Sequence, residues 1–319
     1  AVDRHDRRLI GMFGFVRTQK LAVIEPQADT AWLEIATSTL MCWILPMLLL
    51  LIQSRPTPKA PERRLFVGGN WKCQGSVASI GVLVGELNRI VLPSSIEAVM
   101  FPSFLHLGLC KDLLAPSSIC VGAQNCWDAT SIGQFTGCVT ASALRDFGVR
   151  WVLLGHSDRR NSIGESSELI AQKAAAALAA GLSVNLTIGE TREQRLSGKH
   201  LPSLRAQLEP MVKHVPQSDV WERVVIAYEP VWAIGDGATP CSPVQAQEVH
   251  AFVRSWIASA VSPDAAQGVR LVYTGSVSTA NCAALAAQPD IDGFVCGRAS
   301  LVADDFLTIC SSLAKAKAS

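Results

Sequence analysis

From Leu65 to the C-terminus, short apolar runs alternate with longer amphipathic stretches eight times, and that alternation leaves few folds open. The runs fall at 65–69, 98–101, 119–123, 151–154, 183–188, 224–228, 269–273 and 293–296. They are near-continuously apolar rather than alternating, as in strands buried on both faces of a parallel sheet. Helical periodicity fills the gaps, for instance at 79–91, 166–180, 243–260 and 279–287. Ser166 reads as an N-cap, with Leu169, Ile170, Ala174, Ala177 and Leu178 on one helix face. Eight strand–helix units over about 250 residues predict an α/β chain closed as a (β/α)8 barrel. The rival is an open doubly wound sheet, but no Gly-x-Gly-x-x-Gly opens a helix after the first run. In such a barrel the chemistry sits where strands end. Those ends carry Asn70, Lys72, His156, Ser157, Glu190, Glu229, Gly275, Ser276 and Gly297.

The first sixty residues do not share this rhythm. Residues 35–52 carry no charge, and their dense part, 41–52, is nearer a signal-peptide core than a membrane span, with Pro46 inside it. A Pro-rich basic linker follows at 54–64. The expected division is an extension over 1–62 and a barrel over 63–319. The extension reads as a targeting leader or signal anchor, as sequence from an upstream frame, or as a helix buried in the fold. Lys plus Arg is 28 against Asp plus Glu 27, which excludes the basic bias of a nucleic-acid binder. Ten cysteines are scattered with no Cys-x-x-Cys pair and no zinc spacing, which predicts buried thiols in a reducing compartment, with Cys73 and Cys282 as redox candidates.

Four strand ends carry extended motifs: Phe-Val-Gly-Gly-Asn-Trp-Lys at 66–72, Leu-Gly-His-Ser-Asp-Arg-Arg at 154–160, Ala-Tyr-Glu-Pro-Val-Trp-Ala-Ile-Gly at 227–235 and Thr-Gly-Ser-Val at 274–277. Ala-Gln-Asn-Cys-Trp at 123–127, Ile-Gly-Glu at 188–190 and Asp-Gly-Phe-Val-Cys-Gly at 292–297 lie between them in order. Together they resemble the triosephosphate isomerase family over about four-fifths of the chain, and Cys73 and Cys126 lean toward its plant-type members.

The resemblance implies an aldose–ketose isomerase acting on triose phosphates, with no metal and no organic cofactor, because proton transfer is the whole chemistry. Glu229 would be the general base and His156 a neutral electrophile. Lys72 would be a fixed cation, and Asn70 would hold both Lys72 and substrate. Backbone N–H groups of Gly235, Ser276, Gly297 and Arg298 would hold the phosphate. Residues 230–239 would form a lid anchored by Trp232, Tyr228 and Tyr273, with Ile234 and Val295 pressing on the base. A homodimer is implied, joined through the third loop at 134–140. So is a cytoplasmic barrel, or a plastid or other organelle if the extension is a leader. Membrane contact is implied only if the extension is retained.

Several positions depart from the family pattern. Asp158 stands for a longer Glu, predicting weaker support of Lys72. Thr274 and Arg298 stand for glycines, predicting backbone strain. Asp236, Pro240 and one extra residue alter the lid, and Val295 and Gln74 replace Leu and Asn. Cys138 replaces a Glu, predicting an Arg159 short of a partner. The expectation is an isomerase with impaired turnover. The alternatives are a degenerate barrel serving as a dimeric scaffold, or another phosphosugar enzyme on the same frame.

Overall fold

The computed structural model describes residues 63–127, 135–235 and 237–318. The extension over 1–62, Asp236 and Gln134 lie outside the described residues. Eight strands close a barrel in chain order: β1 (Leu65–Asn70), β2 (Ile96–Phe101), β3 (Cys120–Ala123), β4 (Trp151–Leu154), β5 (Ser183–Ile188), β6 (Val224–Tyr228), β7 (Arg270–Gly275) and β8 (Gly293–Cys296). Every neighbouring pair is parallel, and β1 closes on β8 through Phe66↔Gly293 and Gly68↔Val295.

The strands read as apolar throughout because each side chain is buried on one side or the other. Outward positions join a large core with the helices: Val184, Leu186 and Ile188 of β5 pack there. Inward positions form a second cluster, with Phe66, Val99, Phe101, Trp151, Leu153, Val225 and Val295 filling the barrel's axis. Its floor is polar. Arg270 reaches Glu97 at 2.5 Å while its guanidinium lies 5.6 and 5.3 Å from the rings of Phe66 and Trp151.

Boundaries differ from the sequence expectation by up to four residues, for local reasons. The first helix is Val77–Leu87 rather than 79–91, because Ser76 is its N-cap and exchanges hydrogen bonds with Ser79 in a capping box. The segment expected at 279–287 is helical only over Cys282–Ala286, since Asn281 Oδ1 first accepts from the Ser278 N–H and holds a turn. The helix Pro243–Ala260 matches its expectation, and Ser166 caps Ser167–Ala179 by accepting from the Leu169 N–H. Among the described residues no helix is long and apolar enough to cross a membrane. Cys73 is exposed but Cys282 is fully buried, which removes Cys282 from the solvent-accessible redox candidates.

Above that floor, Asn185 and Thr187 of β5 break the inward apolar pattern. Asn185 on β5 is fully buried, and neither its Oδ1 nor its Nδ2 has a partner among the described residues. An unpaired buried amide costs about 1–3 kcal/mol. Asn185→Leu, nearly isosteric, is therefore expected to raise the calorimetric Tm, by roughly 2–4 °C for each kcal/mol recovered. A Tm at or below wild type would show that the amide is satisfied in solution.

Candidate active site

The loop leaving β1 is built to hold one strained residue. Lys72 has φ 50°, and among the described residues only Phe135 shares that region without being glycine. Two side chains hold the strain in place. Asn70, itself buried, accepts the Lys72 N–H at 3.0 Å, and Gln124 donates to the carbonyl oxygens of Lys72 and Phe101, each at 2.8 Å. Gln124 sits inside a motif legible in sequence, but nothing in the letters shows that it clamps the β1 loop. Trp71 is fully buried and donates to the Ser300 carbonyl oxygen, tying the β1 loop to the turn after β8.

The ammonium of Lys72 meets Asp158 Oδ2 at 2.9 Å. The shorter carboxylate still reaches ion-pair distance, because the turn over Asp158–Ile163 carries it to the ammonium. Burial pushes the Asp158 carboxyl up, but the Lys72 hydrogen bond and the nearby His156 and Lys72 charges outweigh it and hold it below the usual carboxylate range.

His156 is fixed from both sides. Its Nδ1 accepts the Asp158 N–H at 3.2 Å and lies 3.4 Å from Asp158 Oδ2. Its Nε2 lies 3.1 Å from Glu229 Oε1. The other oxygen of Glu229 accepts the Ser157 N–H at 2.8 Å, and the residue is 2% exposed. Close approach of β5 and β6 permits this placement. A Cβ at Gly189 would overlap the Glu229 carbonyl oxygen, so glycine is required there. The side chains of Glu229, His156 and Lys72 thus converge on one cavity of about 670 Å³.

Gly235, Ser276, Gly297 and Arg298, the residues expected to hold the phosphate, line this cavity together with Gly275. The predicted strain is absent, because the left-handed residue of the β7 loop is Gly275 (φ 121°) and not Thr274, whose hydroxyl donates to the Val295 carbonyl oxygen. Arg298 opens a short 3-10 turn with Leu301, where any side chain fits, and it is exposed. Val295 lies in the barrel's interior cluster and is not among the residues lining the cavity. Ile234 lines the cavity and packs over Gly275, where a Cβ would sit 3.4 Å from its Cγ1.

The segment after β6, where the sequence predicts a lid, begins with ties to a residue placed but not assigned by sequence. Glu190, fully buried at the end of β5, accepts from Trp232 Nε1 at 2.7 Å and from the Tyr228 hydroxyl at 2.9 Å. Arg195 stacks over Trp232 at 5.4 Å, a contact with no sequence signal. Ser276 adds a tie between loops by donating to the Ala233 carbonyl oxygen. Arg159, expected to lack a partner, pairs with Glu165 through Nε at 2.7 Å.

A family model described as triosephosphate isomerase matches residues 65–313. The chain is 48% identical over 258 residues to a chloroplastic triosephosphate isomerase of Secale cereale, covering 81% of this chain and 85% of that protein. It is 44% identical over 258 residues to a chloroplastic triosephosphate isomerase of Arabidopsis thaliana, covering 80% of that protein.

Proposed function

We propose residue roles on the premise that the chain belongs to the triosephosphate isomerase family and, as its members do, interconverts dihydroxyacetone phosphate and D-glyceraldehyde 3-phosphate in glycolysis. Glu229 takes a proton from C1 of dihydroxyacetone phosphate. The electron pair moves toward the C2 carbonyl oxygen, and the new carboxylic acid returns the proton at C2. His156 gives its Nε2 proton to O2 of the enediolate and takes the proton of O1 in return, so the hydroxyl proton moves from O1 to O2, and Lys72 supplies fixed positive charge. A carboxylate base beside a neutral imidazole is the established acid–base pair of this family. The observation that carries the reading is the unbroken chain from Glu229 through His156 and Asp158 to Lys72, with Nδ1 already committed to a backbone donor.

His156→Asn is expected to lower kcat by about 10²–10³-fold, the usual loss for an oxyanion donor, with KM little changed. A loss under tenfold in a coupled assay would remove His156 from the electrophile's role.

Arg298 is a cation at the phosphate end and has no ion-pair partner among the described residues. Freed of the expected strain, it favours a bound dianion. Arg298→Gly is therefore expected to raise KM by about 2–5-fold and to flatten its salt dependence, the scale of one exposed charge contact. A lower KM would restore the strain argument. The remaining grounds for impaired turnover are Asp236, Pro240 and the extra lid residue, tested by the kcat of the wild-type chain against its relatives. No observation favours the scaffold alternative.

Two further readings are ours. Phe104, Leu105 and Phe135 are 42%, 92% and 48% exposed on the loops after β2 and β3, an apolar surface that supports a homodimer. Sedimentation should give twice the chain's mass. The relatives named as chloroplastic support a plastid destination for this chain, with residues 1–62 as leader. A fluorescent fusion of 1–62 that stays in the cytosol would refute it.

A further inference from the structure

A polar cluster outside the catalytic groups joins four elements, and Arg195 sits at its centre. Arg195 belongs to the short helix Arg192–Leu196, His200 opens the helix His200–His214, Glu248 lies on the helix Pro243–Ala260, and Glu190 follows β5. The Arg195 guanidinium lies 5.4 Å from the ring centre of Trp232. Its Nη1 is 3.8 Å from Glu190 Oε1, and its Nη2 donates to Glu248 Oε2 at 3.4 Å. The other oxygen of Glu248 meets His200 Nε2 at 3.3 Å. The Arg195 side chain is 13% exposed, and among the described residues it is the one cation in ion-pair reach of the fully buried Glu190.

These contacts reach the substrate cavity through one turn. Trp232 is the middle residue of the 3-10 turn Val231–Ala233, and the next two residues, Ile234 and Gly235, line the cavity. The turn is pinned at two points. Trp232 Nε1 donates to Glu190 Oε1 at 2.7 Å, and the Ala233 carbonyl oxygen accepts from Ser276 Oγ at 2.9 Å. The first pin is a single hydrogen bond, about which an indole can still rotate. A planar cation over the ring face removes that freedom. The same cation offsets the charge of a carboxylate that has no contact with water. A guanidinium can stack on an indole and address two carboxylates at once, which an ammonium on a flexible stem cannot.

We propose that Arg195 is a positioning residue for the substrate's phosphate. Glu248 and His200 hold the guanidinium, the guanidinium fixes Trp232, and the fixed turn sets where Ile234 and the Gly235 N–H stand. Arg195 does not line the cavity, so it acts on substrate only through Trp232. This role rests on Gly235 donating its N–H to the phosphate. Its loss costs affinity rather than chemistry, because Glu229, His156 and Lys72 are held by other contacts.

Arg195→Lys keeps the charge and loses the plane. Glu248→Gln, at a side chain 48% exposed, loosens the guanidinium without emptying a buried position, and gives the same readings if Arg195→Lys fails to fold. KM and kcat are read by coupled assay. The indole is read by fluorine NMR of the chain labelled with fluorotryptophan, where the Trp232 signal, one of eight, is the one missing from Trp232→Leu. Arg195→Lys is expected to shift or broaden the Trp232 signal and to raise KM by about 3–10-fold, with kcat within about twofold of wild type. Glu248→Gln should act in the same direction, raising KM by about twofold, the scale of an exposed ion pair. In a Trp232→Leu background Arg195→Lys should add nothing to KM, since the contact it acts through is gone. An unmoved Trp232 signal, a KM rise that persists in Trp232→Leu, or a fall in kcat at constant KM would overturn the role. A Trp232 signal that moves while KM and kcat both hold would show that Arg195 fixes the turn and that Gly235 does not grip the phosphate, overturning the premise beneath the role.

Discussion

Glu229→Gln is expected to reduce kcat by about 10²–10⁴-fold, toward the upper end because one carboxylate serves both proton transfers. The substitution isolates chemistry from structure. A glutamine side chain keeps the volume of the glutamate and can still accept the Ser157 N–H at the position now held by Oε2. Its amide NH₂ turned toward His156 would face the Nε2–H at 3.1 Å, so the imidazole must turn slightly or find substrate oxygen instead. Neither adjustment disturbs the barrel, and the Tm should stay within a few degrees of wild type. KM should change little, since the phosphate end shares no group with position 229. Glu229→Asp keeps a base but withdraws it by one methylene, and a misplacement on the order of 1 Å costs about 10²-fold. The order wild type, Asp, Gln in kcat is the signature of a positioned base. Glu229→Gln activity within tenfold of wild type would show that another group takes the proton.

The barrel was legible because its signal is redundant. Eight apolar runs spaced by amphipathic stretches permit one closed arrangement, and errors of two residues at the ends of β2 or β7 leave it unchanged. The catalytic groups were legible for a different reason: each sits in a multi-residue motif at a strand end, so neighbours identify it. The failures lie where conformation, not residue type, decides the outcome. Thr274 was expected to be strained, but the left-handed geometry belongs to Gly275 one position on, and no letter reveals that offset. Val295 was assigned to the base but points along the barrel axis, a matter of strand parity at its last turn inward. Cys138 in place of a Glu predicts an Arg159 short of a partner, but Glu165, six residues away beyond a turn, supplies one within the chain. Gln124 and Arg195 act through contacts 52 and 37 residues distant in sequence, on a carbonyl oxygen and on an indole face, and such contacts leave no periodicity.

The most consequential residue without a signal in the sequence is Lys173. It occupies the buried face of the helix Ser167–Ala179, where a lysine ordinarily counts against burial, yet it is 1% exposed. Its ammonium donates to Glu165 Oε1 at 2.7 Å and to Asn125 Oδ1 at 3.3 Å, and lies 5.5 Å from the ring centre of Trp127. Lys173→Met, close in length and volume, is expected to destabilise the barrel by about 3–5 kcal/mol, because it leaves a buried carboxylate with Arg159 alone. The pH dependence follows from Glu165. Burial raises its carboxyl, but the hydrogen bonds and charges of Arg159 and Lys173 more than offset this and hold it below its ordinary value of 4.5. A carboxyl depressed in the folded state contributes stability that is present above its unfolded value and is lost as pH falls through its folded value. The gap between wild type and Lys173→Met should therefore be full near neutrality and narrow below about pH 4.5 as Glu165 protonates. Adding Glu165→Met to Lys173→Met removes the stranded charge and should recover most of the loss, since Arg159 is partly exposed and can be hydrated. Denaturant titration of the three variants at neutral and acid pH measures each term. A Lys173→Met chain as stable as wild type, or a double variant no better than the single one, would show that the ion pair carries none of the fold.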